Sequence, residues 1–185
     1  MAEEKLPKRT VNYKGVFEFS EIYKLVHDRL NDMSYTSADY KGVGPKDLYE
    51  FEYIEKGESP TQYLIRWKSL KNSQDFFTFK IDVTFQGKDI SKTEIMHDGK
   101  KVKVDSGEIT IEIEAAFGDD SEESAKKHPI LRHFSEKFKK MAKDMKKTEK
   151  EAFEGDVDGL HDVIKRYFGM KGKYMPAEVA PVRKG

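Results

Sequence analysis

Phe77-Thr78-Phe79-Lys80-Ile81-Asp82-Val83-Thr84-Phe85 puts an apolar side chain at every odd position and a polar one at every even position. A strict period of two marks a strand with one buried face and one wet face. The alternation recurs on both sides of this stretch. Tyr49, Phe51 and Tyr53 alternate with Glu50 and Glu52, and Tyr63, Ile65 and Trp67 flank Arg66 and Lys68. Ile109, Ile111, Ile113 and Ala115 alternate with Glu108, Thr110, Glu112 and Glu114. Turn-forming stretches separate these runs: Lys56-Gly57-Glu58-Ser59-Pro60, Lys71-Asn72-Ser73-Gln74-Asp75, Gln86-Gly87-Lys88 and Asp105-Ser106-Gly107. Asp98-Gly99 is a two-residue hairpin signal between a weaker strand at 90–97 and a short one at 100–104. Short spacers join antiparallel neighbours, so the pattern predicts one antiparallel sheet of about five to seven strands.

Helices cover its apolar face. Val11, Tyr13, Phe17 and Phe19 read as a first strand, bulged at Gly15, and Ser20 as the N-cap of a helix over 21–33 carrying Ile22, Leu25, Val26, Leu30 and Met33. A loop is expected over 34–46 and another over 118–127. Pro129 opens a second helix with Ile130, Leu131, Phe134, Phe138, Met141 and Met145 at spacings of three and four. Gly155 is expected to stop it near 153. Asp156 then caps a last helix bearing Leu160, Val163, Ile164, Tyr167 and Phe168. The fold class is α+β: an N-terminal β-α unit, one sheet, and C-terminal amphipathic helices over it. The domain reading is a flexible N-terminus at 1–10, a single domain at 11–168 and an extended tail at 169–185.

The 185 residues suffice for one real core, and 12 Phe with 9 Tyr supply the area to fill it. Lys plus Arg and Asp plus Glu are 34 each, so no global field draws the chain to nucleic acid or anionic lipid. The absence of cysteine excludes disulfides, thiolate catalysis and Cys-ligated zinc, and fits a cytoplasmic location. The charged opening Met1-Ala2-Glu3-Glu4-Lys5, with no apolar core after it, is not expected to act as a signal peptide, and no apolar run reaches the length needed to span a bilayer.

Catalytic and metal motifs fail on spacing. His128 and His133 are five apart, and a helix points them to different sides. His27-Asp28 and His161-Asp162 are adjacent pairs that also diverge. Glu154-Gly155-Asp156-Val157-Asp158-Gly159 resembles a calcium loop, but its twelfth position, counted from Asp156, is Tyr167 rather than a bidentate Glu. Gly42-Val43-Gly44-Pro45 does not lead into a helix N-terminus, as a phosphate cradle must. No cofactor and no enzymatic activity are expected.

Charge segregation stands out. Between Asp105 and Glu123 there is no Lys or Arg, whereas the following helix carries Arg132, Lys137, Lys139, Lys140, Lys143, Lys146, Lys147 and Lys150. Glu108, Glu112 and Glu114 share the wet side of their strand and are expected to meet Lys100, Lys101 or Lys103 across the sheet. Lys139, Lys143, Lys146 and Lys147, with Glu108, Glu112 and Glu114, are the candidate partner contacts. Tyr53, Tyr63, Trp67, Phe77 and Phe79 are the candidate lining of an apolar pocket.

Gly15-Val16-Phe17-Glu18-Phe19-Ser20-Glu21-Ile22-Tyr23-Lys24-Leu25 resembles the opening of a set of small uncharacterised archaeal proteins. Asp98-Gly99-Lys100-Lys101-Val102-Lys103 with Gly107-Glu108-Ile109, and Pro129-Ile130-Leu131-Arg132-His133-Phe134, are similar to the same set. The resemblance covers most of the chain, implies an archaeal-like cytosolic origin and carries over no functional residue. In architecture the element order resembles the helix-grip (START-like) folds, from which the extra last helix and tail depart.

Three function classes remain. The first is a non-enzymatic assembly or adaptor protein, working through a protein partner or through its own copies by sheet edges, acidic strand and basic helix. The second is a helix-grip binder of an apolar small molecule. The third is an RNA- or ribosome-associated protein using the basic helix.

Overall fold

The strand that begins at Phe77 does not end at the expected Gly87 break. The computed structural model describes residues 2–38, 50–73, 77–97, 100–119 and 135–170. Its strands are β1 (Ala2–Lys5), β2 (Arg9–Phe17), β3 (Thr36–Ser37), β4 (Glu52–Lys56), β5 (Thr61–Ser73), β6 (Phe77–His97) and β7 (Lys100–Asp119). Its helices are α1 (Phe19–Asp32) and α2 (Ser135–Tyr167). All seven strands form one antiparallel sheet centred on β7-β6-β5. This is the α+β architecture that the alternation predicts. Tyr49, Pro129 and the residues from 171 onward lie outside the described residues.

β6 and β7 are the framework. They pair from Phe77↔Asp119 to His97↔Lys100, with Asp98-Gly99 outside the described residues. The expected turns at 86–88 and 105–107 are therefore not turns. They are successive stretches of the ladder, 86–88 facing 108–110 and 105–107 facing 89–92, where one long hairpin bends. The register shifts between Lys88↔Glu108 and Ser91↔Ser106, so Asp89 and Ile90 together oppose Gly107. Such a bulge bends and twists the ribbon. Asp89 takes φ 53°, a left-handed conformation that Asp tolerates better than most residues. Gly107 is the necessary partner. A Cβ there would sit 2.7 Å from Ile90 Cδ1 and 2.8 Å from the Asp89 carbonyl. The glycine signals close approach, not chain reversal.

Each edge of the sheet is built of two strands laid end to end. β2 pairs with Asp105–Ile113 of β7 and β1 with Ala116–Asp119. On the far side β4 pairs with Gln62–Arg66 of β5 and β3 with Ser69–Leu70. The lead-in expected at 1–10 is thus largely strand, which corrects the reading of residues 1–10 as a flexible arm. Its anchors are the Glu3–Lys80 and Glu4–Lys150 ion pairs, the latter at 2.6 Å, and Leu6, packed on the core. Gly15 causes no register shift, so the expected bulge there is absent.

The inner face of the sheet carries Phe77, Phe79, Ile81, Val83, Phe85, Ile109, Ile111, Ile113 and Phe117, all buried. α1 covers it with Ile22, Val26 and Leu30, each fully buried, and α2 with Phe153, Val157, Leu160 and Ile164. Each such side chain contributes about 1.5–3 kcal/mol by leaving water. That explains why α2 passes straight through Gly155. A mid-helix glycine costs about 1 kcal/mol, and burial of Phe153 and Val157 on either side outweighs it. Asp156 is accordingly not a cap. It lies mid-helix, 3.3 Å from Lys71 Nζ, and accepts the Tyr35 hydroxyl at 3.5 Å. α2 ends at Gly169 (φ 71°), where Gly169 N–H bonds Arg166 C=O and Met170 N–H bonds Lys165 C=O. These are the paired bonds of a Schellman cap.

α1 starts one residue before the expected cap, so Ser20 is inside the helix and Glu18 is the N-cap, without a side-chain capping bond of its own. The capping carboxylate comes from across the sheet. Buried Asp105 accepts the Phe19 N–H at 3.0 Å and pairs with Lys92 at 2.7 Å. Tyr167, at the end of α2, closes the other side of this junction. Its hydroxyl donates to the Glu18 carbonyl at 2.9 Å and accepts the Glu18 N–H at 3.0 Å. Arg9 ties β2 to α2 by donating from Nε and Nη2 to buried Asp158, at 3.1 and 3.0 Å.

Gly155 is exposed, and a Cβ there meets nothing within 4 Å. Gly155→Ala is expected to stabilise the fold by about 1 kcal/mol and raise Tm by roughly 2–4 °C, as measured by calorimetry. The Tyr167 phenol is pushed up to about 12, mainly by burial, against about 10 in an unfolded chain. The folded state therefore holds this proton more tightly. The resulting stabilisation is complete below pH 10 and is lost as pH rises through 12. Tyr167→Phe should cost about 1 kcal/mol at pH 7. The stability gap between wild type and variant, measured by urea titration, should narrow between pH 10 and 12.

Candidate functional site

α2 and the wet face of β7 carry the charges singled out in the sequence, and they lie on opposite sides of the sheet. In β7 the odd positions from Ile109 to Phe117 are buried under the helices, so Glu108, Glu112 and Glu114 project from the outer face. α2 lies on the inner face through Phe153, Val157, Leu160 and Ile164.

The glutamates do not meet Lys100, Lys101 or Lys103. Those lysines belong to the same continuous strand and cannot be cross-strand neighbours. Lys101 instead pairs with Glu94 of β6 at 3.5 Å. The real counterions come from other elements. Lys8, just before β2, reaches Glu112 at 2.9 Å and Glu114 at 3.3 Å. Both contacts hold the Lys8 ammonium above its ordinary range, the Glu112 hydrogen bond most strongly. Lys14 of β2 and Lys88 of β6 stand in register on either side of Glu108. Asp82 stands between Lys68 and Glu114 in register. Burial pushes its carboxyl up, Lys68 opposes this and Glu114 adds to it. Glu108 and Glu114 remain exposed.

The basic helix is divided. Lys146 and Lys150 turn toward their own chain. Lys146 meets Asp119 at 2.9 Å and lies 6.0 Å from the Phe117 ring centre, and Lys150 bonds Glu4 at 2.6 Å. That bond lowers the Glu4 carboxyl and raises the Lys150 ammonium. Lys143 and Lys147 are exposed, Lys147 with only a 3.9 Å contact to Glu151 one turn on. Lys139 lies in α2, but its side chain is outside the described residues. Met141 is 53% exposed and Met145 half-buried. At about 100° per residue these methionines sit roughly 80–120° around the helix from Phe153. The apolar stripe therefore leaves the sheet before the helix does.

The five aromatics singled out in the sequence fall into separate places. Tyr63 stacks on Phe19 of α1 at 5.0 Å, and Trp67 packs edge-on against Tyr23 at 4.6 Å and Phe85 at 5.2 Å. Phe77 stacks on Phe117 at 5.5 Å and Phe79 on Phe153 of α2 at 5.1 Å. Tyr53, on edge strand β4, is 52% exposed and donates to Glu55 at 3.1 Å. Trp67, Phe77 and Phe79 are thus packed into two aromatic clusters, one under each helix. Edge-to-face and offset pairs at these distances add to burial.

One feature was missed in the sequence. The outer face has a shallow concavity of ≈ 370 Å³ over β4, β5 and β6, lined by Ile54, Lys56, Gln62, Leu64, Arg66, Gln86 and Lys88 among others. Its signal was available: Ile54 and Leu64 are apolar residues in the wet phase of their strands. His27 lies 3.3 Å from Asp28, and burial lowers the His161 imidazolium pKa, with nearby Lys165 adding to the effect. Among the described residues no three of His, Asp and Glu gather as metal ligands, and no helix is long and apolar enough to cross a membrane. No protein-family model matches the chain, and no curated protein matches it.

Packing separates the five aromatics by expected cost. Phe79→Ala should destabilise the protein by about 3–5 kcal/mol, because it leaves a cavity against Phe117 and Phe153. Tyr53→Ala should stay within about 0.5 kcal/mol, as surface changes do. Chemical denaturation of the two variants measures both.

Proposed function

We propose that this is a non-enzymatic assembly protein that acts through protein–protein contacts, with a second copy of itself as the partner. The observation that carries this reading is the placement of its charges. Exposed Lys143 and Lys147 belong to the helix side of the sheet, and exposed Glu108 and Glu114, countered in part by Lys8, Lys14 and Lys88, to the outer side. Unlike patches on opposite surfaces of one body meet head to tail, and such contacts form rings or filaments. Met141, exposed on the helix side, adds an apolar contact that the chain's own core does not use.

Light scattering on the purified chain at low and high salt tests the proposal. Mass should exceed the monomer at low salt and return to it at high salt, as exposed ion pairs are screened. Lys143→Glu with Lys147→Glu should give a monomer under both conditions while leaving thermal unfolding nearly unchanged. A wild-type monomer at every salt and protein concentration would overturn it.

A further inference from the structure

The outer-face concavity has a chemistry of its own, different from that of the neighbouring Glu108 contact. Cross-strand register arranges its lining in rows. Lys56 pairs with Gln62, and Lys88 stands at the same end on β6. Ile54, Leu64 and Gln86 form the middle row. Glu52, Arg66 and Thr84 form the third. The floor is therefore apolar, with Lys56 and Lys88 at one end, the Arg66–Glu52 ion pair at the other and two side-chain amides beside it. Lys56 and Lys88 are exposed and make no ion pair among the described residues. Arg66 Nη1 is ion-paired with Glu52 Oε2 at 3.2 Å, so an acidic ligand at this end shares the guanidinium with that carboxylate. Glu52 and the register neighbour Glu108, beside Lys88, are the carboxylates flanking the groove.

The site is set where the sheet is least regular. The β5–β6 ladder shifts register between Thr61↔Ile90 and Tyr63↔Gly87, and the β6–β7 ladder shifts between Lys88 and Ser91. One bulge in β6 thus disturbs both ladders and places Lys88 on the rim.

We infer that this groove binds an extended acidic peptide segment with a central apolar residue, in the order acidic–x–apolar–x–acidic. The spacing is the reason. Rows two residues apart on a strand are separated by about 6.8 Å, and an extended peptide repeats its own side-chain face at the same interval. An apolar side chain over Ile54 and Leu64 brings one flanking acidic residue onto the Lys56/Lys88 row and the other beside the Arg66 guanidinium. Gln62 and Gln86 offer donors and acceptors to the peptide backbone. The shallow shape suits a chain lying across it, whereas small-molecule pockets enclose most of their ligand.

The test is fluorescence anisotropy of a labelled Ser-Glu-Ser-Leu-Ser-Glu-Ser peptide with the full chain. Saturable, salt-sensitive binding is expected. It should weaken at least about tenfold, or about 1.4 kcal/mol, in Lys56→Glu/Lys88→Glu and when the peptide leucine is replaced by serine. The Ser-Lys-Ser-Leu-Ser-Lys-Ser peptide should not bind. Lys56→Gln/Lys88→Gln, which adds no like-charge repulsion at the groove, should give a smaller loss in the same direction. Lys143→Glu/Lys147→Glu, which removes the proposed self-association but leaves the groove intact, should bind at least as tightly as wild type does. Absent binding, equal binding of the basic peptide, or binding unchanged in Lys56→Glu/Lys88→Glu would each overturn the inference. So would a single-stranded oligonucleotide that binds with the same losses while the acidic peptide does not.

Discussion

β6 and β7 pair along almost their full length, and everything else in the molecule is placed by that hairpin. β7 gives one edge to β6 and the other to β2 and β1. Its buried Asp105 caps α1, and its Asp119 receives Lys146 of α2. The bend at Lys88–Ile90 is possible because Gly107 leaves room beneath it. Had the two strands been four separate ones, Asp105 would have stood in a turn, exposed to water, and α1 would have lacked its distant carboxylate.

The junction at Glu18 shows how local sequence and tertiary contact divide the work. Nothing in Glu18-Phe19-Ser20 caps the helix through its own side chain. Asp105 and Tyr167, 86 and 149 residues away in sequence, supply the missing bonds. A carboxylate at a helix N-terminus also meets the positive end of the helix dipole, which favours its charge. Its burial is tolerable because Lys92 and the Phe19 N–H both answer it.

The strands were legible because side-chain alternation is a local property. Phe77–Phe85 and Ile109–Ala115 were read with their correct faces. Strand continuity was not legible, because Gly87 and Gly107 look the same in sequence whether they turn a chain or let two backbones approach. Gly155 misled for a related reason. Its helix penalty is local, and the burial of Phe153 and Val157 that outweighs it is not. Glu108, Glu112 and Glu114 were assigned to the right face but not to the right partners. Partners depend on register, and one residue of slip changes every neighbour. The groove could have been noticed from Ile54 and Leu64, but only register sets Lys56, Arg66 and Lys88 around them.

Strands near the start of the chain pair with one near residue 110, and this governs the order in which the molecule can form. β2 finds its partner only in Asp105–Ile113, and β1 only in Ala116–Asp119. On a ribosome adding about 5–20 residues per second, the first strands would wait roughly 5–20 seconds for β7 to be made. Until then α1 lacks its capping carboxylate, and the apolar faces of β5 and β6 are uncovered by α2. The apolar face of the sheet is thus completed last, by Phe153, Val157, Leu160 and Ile164 of α2.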